Sequence, residues 1–160
     1  MSNRSLVFWR RLRAFLLLAG LGAYTAREAA NAPSARRTFV FYAIGDNRLM
    51  VEDRMLPRLA SEELAIQRYV EEALLGPVSP RAAPLFYKEA RLRSLLYRDA
   101  VVYADLSEEA ALPALEEGRP KDGEVLRSLH GLDAGIRRNF PAVQEVRLFI
   151  NGRRVLPAAR

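Results

Sequence analysis

The sequence predicts a small α+β domain that follows a basic and then apolar N-terminal segment. Three features support this fold class: strand-length runs of β-branched and aromatic residues, two stretches with apolar residues at helical spacing, and turn residues between them. A chain of 160 residues has room for one domain and an accessory segment, and an apolar fraction of 50% supplies a core. We expect the order β-β-α-β-β-α-β, with a short final strand, arranged as a small sheet packed on two main helices.

Residues 1–32 predict a signal peptide or a membrane anchor. Three arginines at positions 10–13 precede a mostly apolar run at 14–26, a pattern that export machinery handles with the arginines on the cytoplasmic side. The run is shorter than the roughly 20 residues that span a bilayer as a straight helix, which favours a signal peptide. Residues 30–32 have the small-x-small form of a cleavage site, but Pro33 follows directly. Cleavage and retention both stay open, and a soluble amphipathic helix is the alternative.

Charge and cysteine content exclude several classes of function. The chain has no cysteine, which excludes disulfides, zinc–thiolate sites, cysteine nucleophiles and the lipidated cysteine of a lipoprotein. Its net charge is +6, of which residues 1–32 contribute +4 and the remainder only +2. Basic and acidic residues alternate in that remainder, which indicates a mixed solvated surface. We therefore expect no nucleic-acid partner.

The first half of the domain begins after a predicted linker at 33–37. The run at 38–44 predicts a strand that ends at the turn residues 45–47, and 48–56 predicts its return strand. Residues 77–90 contain three prolines and little periodicity, so we expect a loop there.

A helix is predicted between these segments. Ser61 is a suitable N-cap, and Glu62 and Glu63 in the first turn favour the positive end of the helix dipole. Gly76-Pro77 predicts the end of the helix, since glycine accepts a left-handed conformation and proline cannot continue it. Four apolar residues share one face, namely Ile66, Val70, Ala73 and Leu74.

The second half predicts a strand pair, a helix and a last strand. Residues 91–96 and 100–106 form the pair, with 97–99 as its turn, and 107–122 form an irregular connection with one helical turn. A helix then opens at Asp122 and ends before Pro141. Its apolar stripe is Val125, Leu126, Leu129, Leu132, Ile136 and Phe140. Gly131 and Gly135 weaken this helix unless a close packing partner requires them.

The C-terminal end predicts a strand and a tight turn. Apolar residues alternate through Glu145–Ile150, and Asn151-Gly152 favours a hairpin into a short return strand at 153–156. The domain then spans 38–156, and residues 157–160 form a tail.

These fragments, in this order, resemble the GerMN domain family, first described in a spore-germination and sporulation protein and widespread in bacterial envelope proteins. The matching fragments are Phe39–Tyr42, Leu49–Arg54, Ala73–Pro77, Val101–Ser107 and Phe140–Gly152. The resemblance covers about residues 38–156, except that 78–90 lacks the family's glycine-threonine and no lipobox cysteine is present. It implies an α+β fold akin to the ring-building motifs of secretion and sporulation machines. It also implies assembly or attachment in the cell envelope without assigned catalysis.

Few residues are candidates for chemistry. His130 is the only histidine and falls off the apolar stripe, which indicates a surface position. Two acidic clusters, Glu52-Asp53 and Asp105 with Glu108-Glu109, have the residue types that hydrolyse glycans. Acids at strand ends more commonly bind backbone N–H groups of the following turn, a role that also suits Ser107. We therefore predict no catalytic residue, no metal and no cofactor.

The remaining candidates are aromatic residues in or near loops. Phe86, Tyr87 and Tyr97 are predicted to contact a partner, although at least one of them is expected in the core. The sequence thus predicts a non-catalytic binding or scaffolding module on the extracytoplasmic side of the bacterial cytoplasmic membrane, either exported or tethered. Its partner is an envelope protein, a second copy of the chain or peptidoglycan. The alternative is a cell-wall glycan hydrolase or its accessory subunit.

Overall fold

The structure, a computed structural model, describes residues 33–45, 48–112, 114 and 123–155, together with Phe15 and Ala19. The chain divides into two compact units, Met1–Ser34 and Ala35–Arg160, and the elements below belong almost entirely to the second. The predicted signal peptide or anchor, the helix start at Asp122 and the tail at 157–160 lie outside the described residues.

The described residues between 33 and 155 contain seven strands and two α-helices, which confirms the α+β class and, apart from one additional two-residue strand, the predicted order. The elements are β1 Ser34–Ala43, β2 Leu49–Pro57, α1 Glu62–Leu74, β3 Ala82–Ala83, β4 Leu92–Arg98, β5 Val101–Leu106, a 3-10 turn Glu108–Ala111, α2 Glu124–Asn139, β6 Glu145–Ile150 and β7 Arg153–Arg154. The strands form two sheets, β2-β1-β3 and β4-β5-β6-β7, where a single sheet was expected.

The first strand starts earlier than the sequence indicates. β1 begins at Ser34, so most of the predicted linker at 33–37 is strand. Arg37 explains the difference, because its Nη1 donates to the carbonyl oxygen of Asn139 at 2.6 Å. Its guanidinium carbon also lies 4.3 Å from the centre of the Phe140 ring, a favourable cation–π distance. These contacts fix the start of β1 against the end of α2.

Helix α1 has the predicted start, face and end. The Ser61 side chain accepts a hydrogen bond from the Leu64 amide at 3.2 Å. Gly76 follows the helix with φ of +86°, the left-handed conformation that glycine adopts without a steric cost. The buried face consists of Ile66, Tyr69, Val70, Ala73 and Leu74.

A two-residue strand lies within the predicted loop at 77–90. β3 pairs with the end of β1, with Tyr42 opposite Ala83, and the Ile44 amide donates to the Arg81 carbonyl at 3.0 Å. Prolines at 80 and 84 flank it, and proline has no N–H to extend the ladder. The pairing is therefore too short to leave a strand pattern in the sequence.

The second sheet combines a hairpin with a parallel crossover. β4 and β5 are antiparallel, and their turn is Asp99-Ala100, with φ of +51° and +62°. The turn thus comes after Arg98, and Tyr97 belongs to β4 instead of the predicted turn. β5 and β6 are parallel, so the chain between them must cross over. Helix α2 lies in that crossover.

The buried face of α2 differs from the predicted stripe at one residue. Leu129, Leu132 and Ile136 are buried as predicted, whereas Leu126 is 48% exposed. Leu126 lies about 100° around the helix from Val125, and the three buried residues lie close to the direction of Val125. The buried face extends instead to the other side, over Ser128, Gly131 and Gly135.

The two helix glycines have the close packing partners that their positions require. A Cβ atom on Gly135 would lie 2.3 Å from the Tyr69 hydroxyl oxygen, and one on Gly131 would lie 3.3 Å from Leu85 Cδ2. Real Cβ atoms do not approach another atom as closely as 2.3 Å. Glycine at 135 therefore lets α2 pack directly against Tyr69 of α1.

Candidate binding surfaces

Glu52 is the centre of the first acidic cluster, and its carboxylate holds two segments together. It accepts hydrogen bonds from Arg54 Nε at 2.6 Å and from the amides of Val78 at 3.0 Å and Ser79 at 3.3 Å. Burial opposes ionisation of Glu52, but the bonds from Arg54 and the two amides outweigh it and lower its pKa. A glycosidase general acid needs a raised pKa. The geometry suits a structural link between β2 and the loop after α1.

Arg54 completes this link at the end of α1. Its Nη2 donates to the Gly76 carbonyl at 2.6 Å, and its Nη1 donates to the Glu72 carbonyl at 3.2 Å. The last carbonyls of a helix lack partners within the helix, so a guanidinium there satisfies them. The guanidinium carbon lies 4.7 Å from the Phe39 ring centre. Arg54 therefore packs on the core while it caps the helix.

Two further acids of the predicted clusters also make structural bonds. Asp53 accepts from Arg36 at 2.5 Å and from the Thr38 hydroxyl at 2.8 Å, and the bond from Arg36 lowers the Asp53 pKa. Asp105 accepts from the Gly152 amide at 2.9 Å. Asp105 thus fixes the turn between β6 and β7 rather than the turn that follows it in sequence.

The remaining polar candidates lie at the surface or at strand ends. The Ser107 hydroxyl accepts from the Arg91 amide at 3.0 Å, so it joins the start of β4 and does not cap the 3-10 turn. A hydrogen bond from the Ser107 side chain lowers the Glu109 pKa. His130 is exposed on α2, as predicted. Within the described ranges, no three carboxylates and histidines are placed to hold a metal ion.

The three aromatic candidates do not lie together. Phe86 is 1% exposed and belongs to the core. Tyr97 joins β4 to the start of α1, since its amide donates to Glu63 at 2.8 Å; burial and the neighbouring Glu62 raise the pKa of its hydroxyl. Tyr87 is half-buried in the loop before β4. A partner-binding role for Tyr87 and Tyr97 stays a prediction.

An aromatic surface that was not singled out from the sequence lies on the second sheet. We call it the open sheet face and define it by Leu96, Tyr103, Arg147 and Phe149. In the register, Leu96 is opposite Tyr103, which is opposite Arg147. Leu96 is 51% exposed, and the other three are half-buried. Their neighbours along β5 and β6 alternate onto the core side, so these four face away from the helices.

Charged groups hold this face in a fixed arrangement. Arg147 donates to both carboxylate oxygens of Glu145, at 2.7 and 2.9 Å, and to the Tyr103 hydroxyl at 3.2 Å. The bond from Arg147 lowers the Glu145 pKa. The guanidinium carbon lies 5.2 Å from the Tyr103 ring centre. The strand sequences of this sheet contain arginine but no lysine.

A second exposed surface lies where the β1–β2 turn meets the loop after α1. We call it the two-loop corner and define it by Ile44, Arg48, Leu49, Val78 and Arg81. It contains a cleft of about 620 Å³, lined by Ala43, Ile44, Arg48, Leu49, Met50, Pro80 and Arg81. A groove of about 300 Å³ shares Pro80 with the cleft and is lined also by Leu74–Ser79, Ala82, Pro84, Phe86 and Lys88.

Similarity to solved structures identifies the fold. The chain matches the structure of the tandem GerMN domains of the sporulation protein GerM from Bacillus subtilis with a TM-score of 0.54 and 17% identity, over 77% of this chain and 41% of that one. It matches the first GerMN domain of that protein with a TM-score of 0.53 and 19% identity, over 76% and 86%. The resemblance predicted from the fragments is thus confirmed, and the domain has a GerMN-like fold.

One further solved structure and two sequence comparisons do not change this assignment. A candidate lipoprotein from Clostridium perfringens matches with a TM-score of 0.46 and 18% identity, over 75% of this chain and 76% of that one. No protein-family model and no curated protein matches the sequence. Among the helices of the described residues, none combines the length and the apolar character needed to cross a bilayer.

Proposed function

We propose that this GerMN-like domain is a non-catalytic binding module of the bacterial cell envelope. It engages an envelope protein or peptidoglycan on the extracytoplasmic side of the membrane, to which the N-terminal segment delivers or tethers it. The open sheet face carries this proposal, because it is a solvent-accessible sheet surface on which Tyr103, Arg147 and Phe149 are half-buried and Leu96 is exposed.

The composition of that face supports a binding role. Protein interfaces are enriched in tyrosine, phenylalanine and arginine and depleted in lysine, and the four residues that define the face include one of each enriched type and no lysine. The bonds from Arg147 to Glu145 and Tyr103 fix these side chains before a partner arrives. A preordered surface loses less conformational entropy on binding.

Crosslinking in cells tests the binding role. A photo-crosslinking amino acid at Leu96, on the open sheet face, should give discrete adducts with an envelope protein or with peptidoglycan. Leu126 is a matched control, because it is similarly exposed, at 48% against 51%, but lies on α2. Tyr103→Ala in the same chain should weaken the Leu96 adducts. Equal adducts from both positions would contradict a role for this face.

The non-catalytic character is supported by the use of the acids. Glu52, Asp53 and Asp105 each accept structural hydrogen bonds, and the pKa values of Glu52 and Asp53 are lowered.

Purified full-length protein incubated with peptidoglycan should release no soluble muropeptides. Release that Glu52→Gln or Asp105→Asn abolishes, with the circular dichroism spectrum unchanged, would favour the hydrolase instead.

A further inference from the structure

We propose that the free edge of β2 pairs with the same edge of a second copy of the chain, as two antiparallel strands related by a two-fold axis at Asp53. β2 is an outer strand of the first sheet, whose order is β2-β1-β3. The pairing joins the first sheets of two chains into one. The edge shares Leu49 with the two-loop corner and no residue with the open sheet face, so the inference goes beyond the proposed partner binding.

β2 is the longest edge strand of the two described sheets. It has nine residues, and its only proline is the last one, Pro57. The other edges are blunted, because β3 and β7 have two residues each and β4 has an irregularity between Leu92 and Ser94. The Tyr97 amide of β4 also donates to Glu63. Proteins blunt exposed edges in these ways to prevent pairing with another chain, so β2 is the edge that stays suited to it.

The far side of β1 is already occupied, which leaves β2 as the open side of this sheet. The Thr38 amide donates to the Asn139 side-chain oxygen at 2.8 Å, and the Thr38 carbonyl accepts from Asn139 at 2.7 Å. On the near side, the Ala43 amide donates to the Arg48 carbonyl at 2.9 Å. Backbone groups of an antiparallel ladder alternate between its two sides. Those of β2 that face away from β1 therefore belong to Leu49, Val51, Asp53 and Met55.

The outward side of β2 combines this backbone with exposed apolar side chains. Leu49, Val51 and Met55 are 63%, 59% and 63% exposed. Among the described residues, no group outside the sheet bonds to the backbone of this strand. In strand addition, main-chain hydrogen bonds provide affinity and the side chains select the strand that pairs. The edge of β2 offers both.

The residue types of β2 favour its own copy as the strand that pairs. Around Asp53 the strand is symmetric, since an apolar residue lies two positions away on either side and a charged residue one position away. A two-fold axis at Asp53 places Val51 opposite Met55 of the second copy. It also places Glu52 opposite Arg54 of the second copy. Apolar pairs and pairs of opposite charge stabilise antiparallel strands when they lie directly opposite.

The pairing does not require uncompensated charges. Glu52 and Arg54 bind each other at 2.6 Å within one chain, and the register keeps like charges apart on their side of the sheet. Asp53 lies opposite itself at the axis, but Arg36 and the Thr38 hydroxyl of the same chain bind its carboxylate. Backbone hydrogen bonds and apolar contacts therefore supply the affinity.

Single cysteines test the register, because the sequence has no cysteine. Only the residue on the axis lies opposite itself, at the Cα–Cα distance of about 5.5 Å that a disulfide spans. The purified full chain with Asp53→Cys should therefore form a disulfide-linked dimer on mild oxidation. Val51→Cys alone should not, since four residues, or about 13 Å of strand, separate the two copies of position 51.

A mixture of two variants tests the same register with Asp53 intact. Full chains with Val51→Cys and with Met55→Cys, each carrying a different tag, should form disulfides with each other because these positions are opposite. Each variant alone should link only as much as Leu126→Cys. Leu126 is a suitable background position, since it is exposed on α2 and away from the first sheet.

Val51→Lys tests the affinity. It removes two cross-strand apolar contacts from the dimer and places a lysine on each edge, so we expect self-association of the full chain to weaken about tenfold. Sedimentation equilibrium in detergent measures this change. Leu126→Lys is the matched control, with 48% exposure against 59% for Val51, and should associate like the parent. Circular dichroism should show the same fold in both variants.

Four results would overturn the proposal. One is Asp53→Cys linking that does not exceed that of Leu126→Cys, and another is a mixture of Val51→Cys and Met55→Cys chains that does not link. A third is a Val51→Lys chain that associates like the parent. The fourth is an Asp53→Cys chain that links in cells to a different protein and not to itself. Adducts from Leu96 on the open sheet face are independent of all four, so the proposed function stands or fails separately.

Discussion

Tyr69 is the residue at which both helices and the first sheet meet. Its ring stacks on Phe39 with 4.5 Å between ring centres, and Phe140 packs against it edge-on at 5.9 Å. Its hydroxyl donates to the Thr38 carbonyl at 3.1 Å, and burial raises its pKa. The absence of a side chain at Gly135 gives this hydroxyl its space, so one glycine sets the approach of α2.

Gly135→Ala should therefore destabilise the domain, although alanine favours a helix. The added methyl would meet the Tyr69 hydroxyl at 2.3 Å, and such overpacking costs about 1–3 kcal/mol in the free energy of unfolding, measured by denaturant titration. Gly131→Ala is the control, because its nearest atom is the end of the Leu85 side chain at 3.3 Å. A Gly135→Ala variant as stable as the parent would contradict this packing.

Ala100→Gly should have the opposite effect. Ala100 has a φ of +62°, and a left-handed conformation costs a residue with a Cβ atom about 1–2 kcal/mol. Glycine removes that cost but loses more entropy on folding, so we expect a net gain of about 0.5–1 kcal/mol. Thermal unfolding measures it, with Ala104→Gly in the middle of β5 as the destabilised control. A loss of stability in Ala100→Gly would contradict the assigned turn.

At the scale of elements, the sequence predicts those strands and helices whose positions depend on the local pattern of residues. The alternation of apolar and polar residues predicted β5 and β6. The N-cap Ser61 and the stop signal Gly76-Pro77 predicted the two ends of α1. Contacts distant in sequence determined the rest. Arg37 extends β1 through its contact with Asn139, and the turn Asp99-Ala100 has left-handed residues without a glycine to mark them. The open sheet face was missed because the strands were used to find the core, although the same alternation identifies Tyr103 and Phe149 on the opposite side.

The link between β2 and the loop after α1 should be sensitive to acid. The Glu52 pKa in the folded protein lies below the ordinary value of 4.5. The unfolded chain therefore binds a proton at higher pH than the folded chain does. The stabilisation is fully present above pH 4.5 and is lost as the pH falls through the folded pKa.

Glu52→Gln should show this dependence directly. At pH 7 we expect the variant to be less stable by about 1–3 kcal/mol, since Arg54 and two amides lose a charged acceptor. The difference in free energy of unfolding between the variant and the parent should narrow as the pH falls from 5 to 3. Denaturant titration at each pH measures this difference. Glu108→Gln, at the 3-10 turn, is the control and should follow the parent. A difference that stays constant with pH would exclude ionised Glu52 as the cause.

At the scale of the whole molecule, the core that the described residues form belongs to the second compact unit. Its buried apolar residues run from Phe39 to Ile150. Helices α1 and α2 contact each other, and each also contacts the second sheet. These contacts between helices and sheet indicate that the domain unfolds as one cooperative unit. Its N-terminal limit is the start of β1 and not Thr38, where the apolar pattern begins.

Two truncations test that limit. Residues 33–160 should unfold in a single transition, and residues 38–160 should be less stable by about 2 kcal/mol. The shorter chain loses the start of β1 together with the charged hydrogen bond and cation–π contact of Arg37. Calorimetry of both chains measures the difference. Arg37→Ala in residues 33–160 should reproduce much of this loss of stability. Equal stability of the two truncations would instead support the prediction that residues 33–37 are a linker.

The parallel pairing of β5 with β6 also determines when the domain can fold. The hairpins β1–β2 and β4–β5 join neighbours in sequence, but all of residues 107–144 lie between β5 and β6. Closing so long a loop is slow compared with forming a hairpin. During synthesis, the second sheet stays incomplete until nearly the whole chain has been made. A nascent chain in this state lacks the strand that closes the second sheet, so the domain can complete its folding only after β6 has been synthesised.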